Sequence, residues 1–142
     1  MNRIASTIPF TRIALLLAVA AVGSLAQAAD APKDRVVVMY FHRTERCPTC
    51  RTMGSYSEEA VKTAFAEELK KGQVAFHFID FEAEKNARYA KAYNISGPAL
   101  IVAKIADNKV ASYKDLDEIW TKVRDKPAFL QYVQENIKAL AR

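Results

Sequence analysis

The sequence predicts one α/β domain, with helices on both faces of a mixed central sheet. Three runs, residues 36–41, 74–81 and 99–105, have the length and apolar content of strands, although His77 and Asp80 interrupt the second. Segments with helical periodicity follow the first two runs, and a short hairpin follows the third. Because a βαβ unit followed by a hairpin and a helix gives parallel and antiparallel neighbours, we predict the order β, α, β, α, β, β, α.

The first predicted strand leads directly to the two cysteines. Both alternating faces of residues 36–41 are apolar, as in a central strand. A short polar loop then precedes Cys47, and a helical region follows, in which Ser55 and Glu58 have the spacing of a capping box. Residues 70–72, Lys-Lys-Gly, are a typical helix end. One side of this helical region is apolar, with Val61, Ala64, Phe65 and Leu69.

The second half of the chain supplies the rest of the predicted sheet. We expect a short helix over residues 82–93, a turn over 94–98 and the third strand over 99–105. Residues 107–109, Asp-Asn-Lys, are typical of a hairpin loop, and the returning strand is expected over 110–113. Two helical stripes follow, Leu116, Ile119, Trp120 and Val123 in the first, and Leu130, Val133, Ile137 and Leu140 in a last helix that begins near Pro127.

The N-terminal segment has the order of a secretory signal peptide. Arg3 and Arg12 precede the apolar residues 13–22, and residues 26–28, Ala-Gln-Ala, have the small-x-small pattern of a cleavage site. We therefore expect residues 1–28 to be removed and residues 29–142 to form one domain, periplasmic or secreted. The apolar run is short for a membrane span, although an uncleaved anchor remains the alternative reading.

Charge and aromatic patterning give little support to nucleic-acid binding. Removing the signal segment takes away two arginines and no acidic residue, so the formal charge falls from +5 to +3. Aromatic and basic side chains do not alternate in a stripe, which argues against nucleic-acid binding. No stable membrane anchor is expected, since the residue directly after the cleavage site is Ala29 and not a cysteine that could carry a lipid.

The only two cysteines, Cys47 and Cys50, form a Cys-Pro-Thr-Cys motif. A disulfide between them would close too short a loop to stabilise much, so the spacing favours a reversible redox pair. A helix N-terminus stabilises a thiolate, and we assign Cys47 as the exposed nucleophile and Cys50 as the resolving thiol. Pro48 and Thr49 lie between them, and Arg46 is expected to favour the thiolate.

Two other readings of the cysteine pair stay open. An inert bridge is one, and metal or metalloid binding is the other. A structural zinc site needs four ligands, whereas this chain offers the two cysteines with His42 and His77, so no metal ligand is assigned. We expect His77 to be a packed core residue and His42 to be a candidate for proton transfer. A two-coordinate soft ion such as Cu(I) is still compatible with the dithiol.

The motifs at residues 36–50 and 93–98, with the terminal hairpin and helix, resemble the thioredoxin superfamily. The resemblance implies that Pro98 is a cis proline facing the dithiol and that Gly97 and Pro98 shape a groove for an extended substrate. Three features depart from typical thioredoxin. Cys-Pro-Thr-Cys replaces Cys-Gly-Pro-Cys, Gly97 replaces a bulky residue, and Tyr40 or Phe41 stands where thioredoxin has a buried acid.

A closer resemblance is carried by three segments, residues 40–50, 56–60 and 116–120. They resemble the small family named for a nitrophenyl-compound nitroreductase subunit, which is also associated with arsenic-resistance gene clusters. The resemblance implies an accessory or electron-passing subunit of a reductase, or capture of arsenite by the dithiol. No Gly-rich nucleotide-binding motif is present, so neither flavin nor NAD is expected as a cofactor.

Together these features predict an exported thiol–disulfide oxidoreductase whose only redox group is the Cys47–Cys50 pair. Its expected partners are protein thiols and disulfides, with an unidentified redox partner. Nitroreductase-type accessory function and soft-metal or arsenite binding remain the alternatives.

Export gives the first testable prediction. Protein recovered from cells should begin at Ala29, because the Ala-Gln-Ala motif ends at Ala28. Sequencing of the N-terminus measures this directly, and replacing Ala28 with a bulky residue should delay cleavage. An intact Met1 in the exported protein would contradict the prediction.

Overall fold

The computed structural model describes residues 31–142, so the predicted signal segment 1–28 and its cleavage site lie outside the described residues. A four-stranded sheet forms the centre of the described part, with strand order β2-β1-β3-β4. Strand β1 runs parallel to β2 and antiparallel to β3, and β3 pairs antiparallel with β4. The strands are β1 (Arg35–His42), β2 (Val74–Asp80), β3 (Ala99–Ala106) and β4 (Lys109–Asp115).

Helices cover both faces of this sheet, which confirms the predicted α/β class with a mixed central sheet. Helices α1 and α5 pack together on one face, and α3 lies on the other. A 3-10 turn (Glu84–Asn86) precedes α3. The helices are α1 (Pro48–Ala64), α2 (Ala66–Lys70), α3 (Ala87–Ala92), α4 (Ile119–Lys122) and α5 (Lys126–Ala141).

Alternation along the central strand divides the core into two layers. Residues Val36, Val38 and Tyr40 of β1 face α1 and α5, whereas Met39 and Phe41 face the side of α3. All five side chains are buried, because β1 has a strand on each edge and helices on each face. The two-sided apolar pattern of residues 36–41 is thus explained by the central position of this strand.

The hairpin between β3 and β4 agrees with its sequence. Asp107 and Asn108 both have positive φ, 48° and 60°, as a tight two-residue turn between antiparallel strands requires. Every residue of the edge strand β4 is exposed. The helix end at residues 70–72 is confirmed as well, since α2 ends at Lys70 and Gly72 has a φ of 70°.

Several predicted helix limits differ from the structure. Helix α1 already begins at Pro48, so Ser55 and Glu58 lie in its interior and do not form a capping box. The helical region breaks at Phe65, whose φ of −131° and ψ of 32° are not helical, and the Phe65 side chain is buried in the core. The helix expected over residues 82–93 is shorter, because its first part forms a 3-10 turn.

Besides Ala64 on the apolar side of the first helical region, two residues expected in the core are exposed. His77 lies on the edge strand β2, and the short helix α3 leaves its side of the strand uncovered. Trp120 is 47% exposed because α4 is a single turn, in which the neighbouring Ile119 takes the buried side. The predicted packing of both residues is therefore wrong.

The last helix gives a prediction about stability. Ile137 is fully buried on the face of α5 that packs against the sheet and α1. Ile137→Ala should lower the free energy of unfolding by about 2–5 kcal/mol, because it removes buried methyl groups and leaves a cavity. Urea denaturation measures the loss. The neighbouring exposed residue provides the control, since Lys138→Ala should change stability by less than about 0.5 kcal/mol. Equal losses in the two variants would contradict the packing.

Candidate functional site

The two cysteines are joined in a disulfide at the N-terminus of α1. Cys47 is the N-cap residue, with φ −65° and ψ 158°, and its Sγ accepts a hydrogen bond from the backbone N of Cys50 at 3.1 Å. The Cys47 residue is exposed, whereas Cys50 is only 8% exposed. An incoming molecule therefore meets Cys47 first, in agreement with the order expected from the sequence.

The residues between the cysteines suit a site that carries negative charge. Pro48 occupies the first turn of α1, where its missing N–H leaves no helix donor unpaired. Thr49 is exposed and leaves the approach to Cys47 polar. No acidic residue lies in this first turn. The positive end of the helix dipole can therefore stabilise an anionic sulfur without a competing carboxylate from this turn.

The loop before Cys47 is tied to the end of β2. Thr44 donates from its backbone N to Glu82 Oε2 at 3.0 Å and from its hydroxyl to Asp80 Oδ2 at 2.7 Å. Arg43 Nη1 lies 2.7 Å from Glu82 Oε1 in an ion pair. The hydrogen bond from Thr44 is the main cause that lowers the pKa of the Asp80 carboxyl below its ordinary value. These contacts set the path by which the chain reaches Cys47.

Tyr40 connects the central strand to the cysteine turn. Its hydroxyl donates to the carbonyl oxygen of Cys50 at 2.7 Å, and its side chain is fully buried. Burial raises the pKa of Tyr40 to about 12, although the positive charge of Arg46 acts in the opposite direction. The phenol thus keeps its proton at neutral pH and cannot serve as a general base there.

Arg46 folds back along α1 instead of extending into solvent. Its guanidinium carbon lies 5.1 Å from the ring centroid of Phe78 and 5.9 Å from that of Tyr40. A Cβ atom placed on Gly54 would lie 2.6 Å from Arg46 Nη2. Gly54 follows Cys47 by seven residues, or roughly 10 Å along the helix axis. The charge therefore lies along the side of α1 and not at the tip occupied by Cys47.

Gly97 and Pro98 lie at the same end of the sheet but line a separate groove. Phe41 pairs with Ala99, which places Pro98 beside the carboxyl end of β1. The groove has a volume of about 290 Å³ and also includes Asp115 and Trp120. Neither cysteine is among its lining residues. The site residues from the sequence thus form two neighbouring groups, the dithiol turn and this groove.

The expected cis proline is not found. All peptide bonds in residues 31–142 are trans, including the bond between Gly97 and Pro98. Trans is the lower-energy form of a bond before proline by about 0.5–1 kcal/mol. A Cβ placed on Gly97 would have no neighbouring atom within 4 Å, so no close contact at Gly97 disfavours the trans bond. The expectation of a cis bond is therefore wrong for this structure.

The two histidines differ in their relation to the dithiol. His42 ends β1, stacks at 6.4 Å on the ring of Tyr40, and has its Nδ1 2.8 Å from the carbonyl oxygen of Arg43. His77 is on the other side of β2 and exposed. Within the described part of the chain, no group of three or more His, Cys, Asp or Glu side chains could hold a metal ion. No helix in residues 31–142 is both long and apolar enough to cross a membrane.

The sequence analysis did not identify Gly54 or Phe78 as site residues. It also did not decide whether Tyr40 or Phe41 occupies the strand position beside the cysteine turn. The alternation of β1 settles this point, because only Tyr40 faces the helix that carries Cys50. A glycine four residues after a cysteine, on the same helical side, was the available signal for a close neighbour at Gly54. Nothing in the local sequence of β2 indicates that Phe78 meets Arg46.

No family model matches the chain, and no curated protein matches it. Among solved structures, it is similar to one described as a malarial protein, with 18% identity, a TM-score of 0.41, and coverage of 68% of this chain and 94% of the other. It is also similar to the solution structure of a thioredoxin from Thermus thermophilus, with 20% identity, a TM-score of 0.35, and coverage of 63% and 72% respectively. Both TM-scores are low, so the fold class rests on the strand order and helix placement of this chain.

The anchoring of the loop predicts how Asp80 titrates. In the wild type its carboxyl should titrate below the ordinary value of about 3.9. Its stabilising effect is then present at neutral pH and is lost as the pH falls through that lowered pKa. Thr44→Val removes the hydroxyl donor, so the pKa of Asp80 should rise, as carboxyl NMR would measure. Thr63→Val is the control, because Thr63 donates to the backbone of α1 far from Asp80. An unchanged Asp80 pKa in Thr44→Val would contradict the anchoring.

Proposed function

We propose that this protein is an exported thiol–disulfide oxidoreductase that works through the Cys47–Cys50 pair. The observation that carries the proposal is the position of the disulfide, with an exposed Cys47 capping α1 and a buried Cys50 one turn further on. This arrangement separates a sulfur that a partner can reach from one that only the neighbouring sulfur can reach. Thiol–disulfide exchange at such a pair needs no cofactor beyond the two sulfurs.

In the reductive direction, the Cys47 thiolate attacks one sulfur of a substrate disulfide. A Cys47–substrate bond forms, the substrate S–S bond breaks, and its second sulfur leaves with the electron pair as a thiolate. The Cys50 thiolate then attacks Cys47 Sγ, which forms the internal disulfide and releases the other substrate sulfur. Two electrons pass from the cysteine pair to the substrate, and the reverse sequence oxidises a dithiol.

The environment of the pair favours the reduced, anionic form. The helix terminus favours a Cys47 thiolate, and no carboxylate opposes it in the first turn. A stabilised thiolate makes the corresponding disulfide more oxidising. We therefore infer that the protein acts more readily as an oxidant of dithiols than as a general reductase. Protons released from the thiols pass to solvent, because Tyr40 stays protonated.

We place the substrate in the groove formed by Gly97, Pro98 and Trp120. The backbone before β3 is at the sheet end where β1 leads to the cysteines, which supports this placement. The 47% exposed indole of Trp120 offers an apolar surface to such a segment. Protein thiols and disulfides are the proposed substrates, with a separate redox partner to regenerate the pair in the periplasm or outside the cell.

Two alternatives use the same residues differently. The resemblance of residues 40–50 and 116–120 to the nitroreductase-subunit family supports a role as an accessory or electron-passing subunit. The Cα atoms of Cys47 and Cys50 are 5.1 Å apart, which supports the capture of arsenite or a soft metal ion by the reduced pair. Each alternative gives a different result in the trapping experiment.

Substitution of one cysteine at a time tests the proposed function. Cys50→Ser should accumulate mixed disulfides through Cys47, because no resolving thiol remains to release the partner. Non-reducing electrophoresis of protein from the native compartment, followed by mass spectrometry, identifies the bound partners. Cys47→Ser is the matched control and should trap far less, since Cys50 is buried.

The outcomes separate the three roles. A carrier of arsenite or metal would lose affinity in both variants without forming mixed disulfides. A purely accessory subunit would keep its association with a reductase in both variants. Either result, or equal trapping by the two cysteines, would overturn the proposed mechanism.

A further inference from the structure

The position of Arg46 indicates that its charge acts on the buried cysteine. Cys50 and Gly54 are four residues apart on one side of α1, where Cβ positions lie about 5–6 Å from each other. Arg46 Nη2 lies 2.6 Å from the Cβ position of Gly54. Since Cβ directions in a helix tilt toward its N-terminus, this guanidinium lies beside the turn that contains Cys50.

Tyr40 joins the same two groups from the sheet side. Its hydroxyl donates to the carbonyl oxygen of Cys50, and its ring lies under the guanidinium of Arg46. Phe78 covers the guanidinium from β2 at 5.1 Å. The cation is thus held between two aromatic rings and the backbone of α1, and its reach toward the exposed Cys47 is limited by these contacts.

One donor of this arginine has no partner in the disulfide form. Arg46 Nε is buried and, within the described residues, makes no hydrogen bond. Buried donors are almost always paired, so an unpaired one calls for an explanation. A disulfide sulfur is a poor acceptor, whereas a thiolate is an anion that accepts strongly from a guanidinium. Reduction of the pair creates such an acceptor at Cys50.

We propose that Arg46 is a positioning residue that stabilises the thiolate of the resolving Cys50 more than that of Cys47. The proposal rests on the proposed function. It differs from the expectation based on sequence order, in which Arg46 acts on the adjacent Cys47. In the resolving step, Cys50 has already lost its proton to solvent, and its sulfur attacks Cys47 Sγ while the substrate sulfur leaves with the electron pair. Arg46 transfers no proton, because the guanidinium group of arginine is not deprotonated in proteins.

A cation beside Cys50 offsets the cost of forming a thiolate on a buried sulfur. Desolvation raises the pKa of a thiol, and Cys50 is 8% exposed. The strand side chain that contacts the Cys50 backbone is Tyr40, which stays protonated and therefore offers no base. A fixed cation lowers the cost of forming the buried thiolate and makes a proton acceptor at this position unnecessary.

The test measures each thiol separately. Arg46→Met is combined with Cys47→Ser to report on Cys50, and with Cys50→Ser to report on Cys47, and thiolate absorbance is followed against pH. We expect the pKa of Cys50 to rise by about one unit or more, a roughly tenfold loss of thiolate at a given pH, and that of Cys47 to rise less. An unchanged Cys50, or a larger shift at Cys47, would overturn the proposal.

Arg43 offers a matched control in the same loop. It is exposed and paired with Glu82, so Arg43→Met should leave the pKa of Cys50 unchanged. Arg46→Lys keeps a charge without the planar fork and should recover part of the shift. Full loss in Arg46→Lys together with altered circular dichroism would show that Arg46 acts through folding, which also overturns the proposal.

A second variant keeps the charge but displaces the cation together with the two rings that hold it. In Gly54→Ala the new methyl group would meet Arg46 Nη2 at 2.6 Å and ring atoms of Tyr40 and Phe78 at 2.9 Å, so the arginine and both rings must shift. The pKa of Cys50 should then rise, while no such change is expected from Ser55→Ala on the exposed side of α1. These titrations need no substrate, so their failure is distinguishable from a failure of Cys50→Ser to trap partners.

Discussion

The hydrogen bond from Tyr40 to the carbonyl oxygen of Cys50 joins the centre of the sheet to the turn that carries the disulfide. Its donor is buried on β1, the strand with neighbours on both edges, so it cannot move without disturbing the core. Its acceptor is in the first turns of α1, so the bond sets how the helix N-terminus meets the end of the strand. The depth of Cys50 and the exposure of Cys47 depend on that placement.

Charge around the pair is distributed unevenly. The exposed loop carries Arg43, but Glu82 pairs with it and so reduces its effect on the cysteines. Arg46 has no carboxylate partner among the described ion pairs, and aromatic rings surround its guanidinium. Water screens a cation less where side chains cover it, so Arg46 is the side-chain charge best placed to act on the buried sulfur. The helix dipole acts mainly at the exposed one.

The local sequence predicted the elements whose burial or backbone conformation depends on neighbouring residues in the chain. Residues 36–41 are apolar on both sides because β1 has a strand on each edge and helices on each face, so their pattern indicated a central strand. Asp107 and Asn108 predicted the hairpin because both tolerate positive φ. The position of the cysteine pair between the first strand and the first helix was also predicted, because the apolar run ends at Phe41 and a short polar loop leads to Cys47.

The sequence by itself determined the α/β class, the central strand and the cysteine turn, because these follow from hydrophobic pattern and short-range spacing. Only the tertiary structure decided which apolar residues are covered. His77 is exposed because β2 lies at the sheet edge, and Trp120 because α4 is one turn long. It also decided that Arg46 lies beside Gly54, since this contact requires the ring of Phe78 from a strand more than twenty residues away in the chain. Adjacency along the chain indicates which groups can meet, whereas the packing of separate elements selects which of them do.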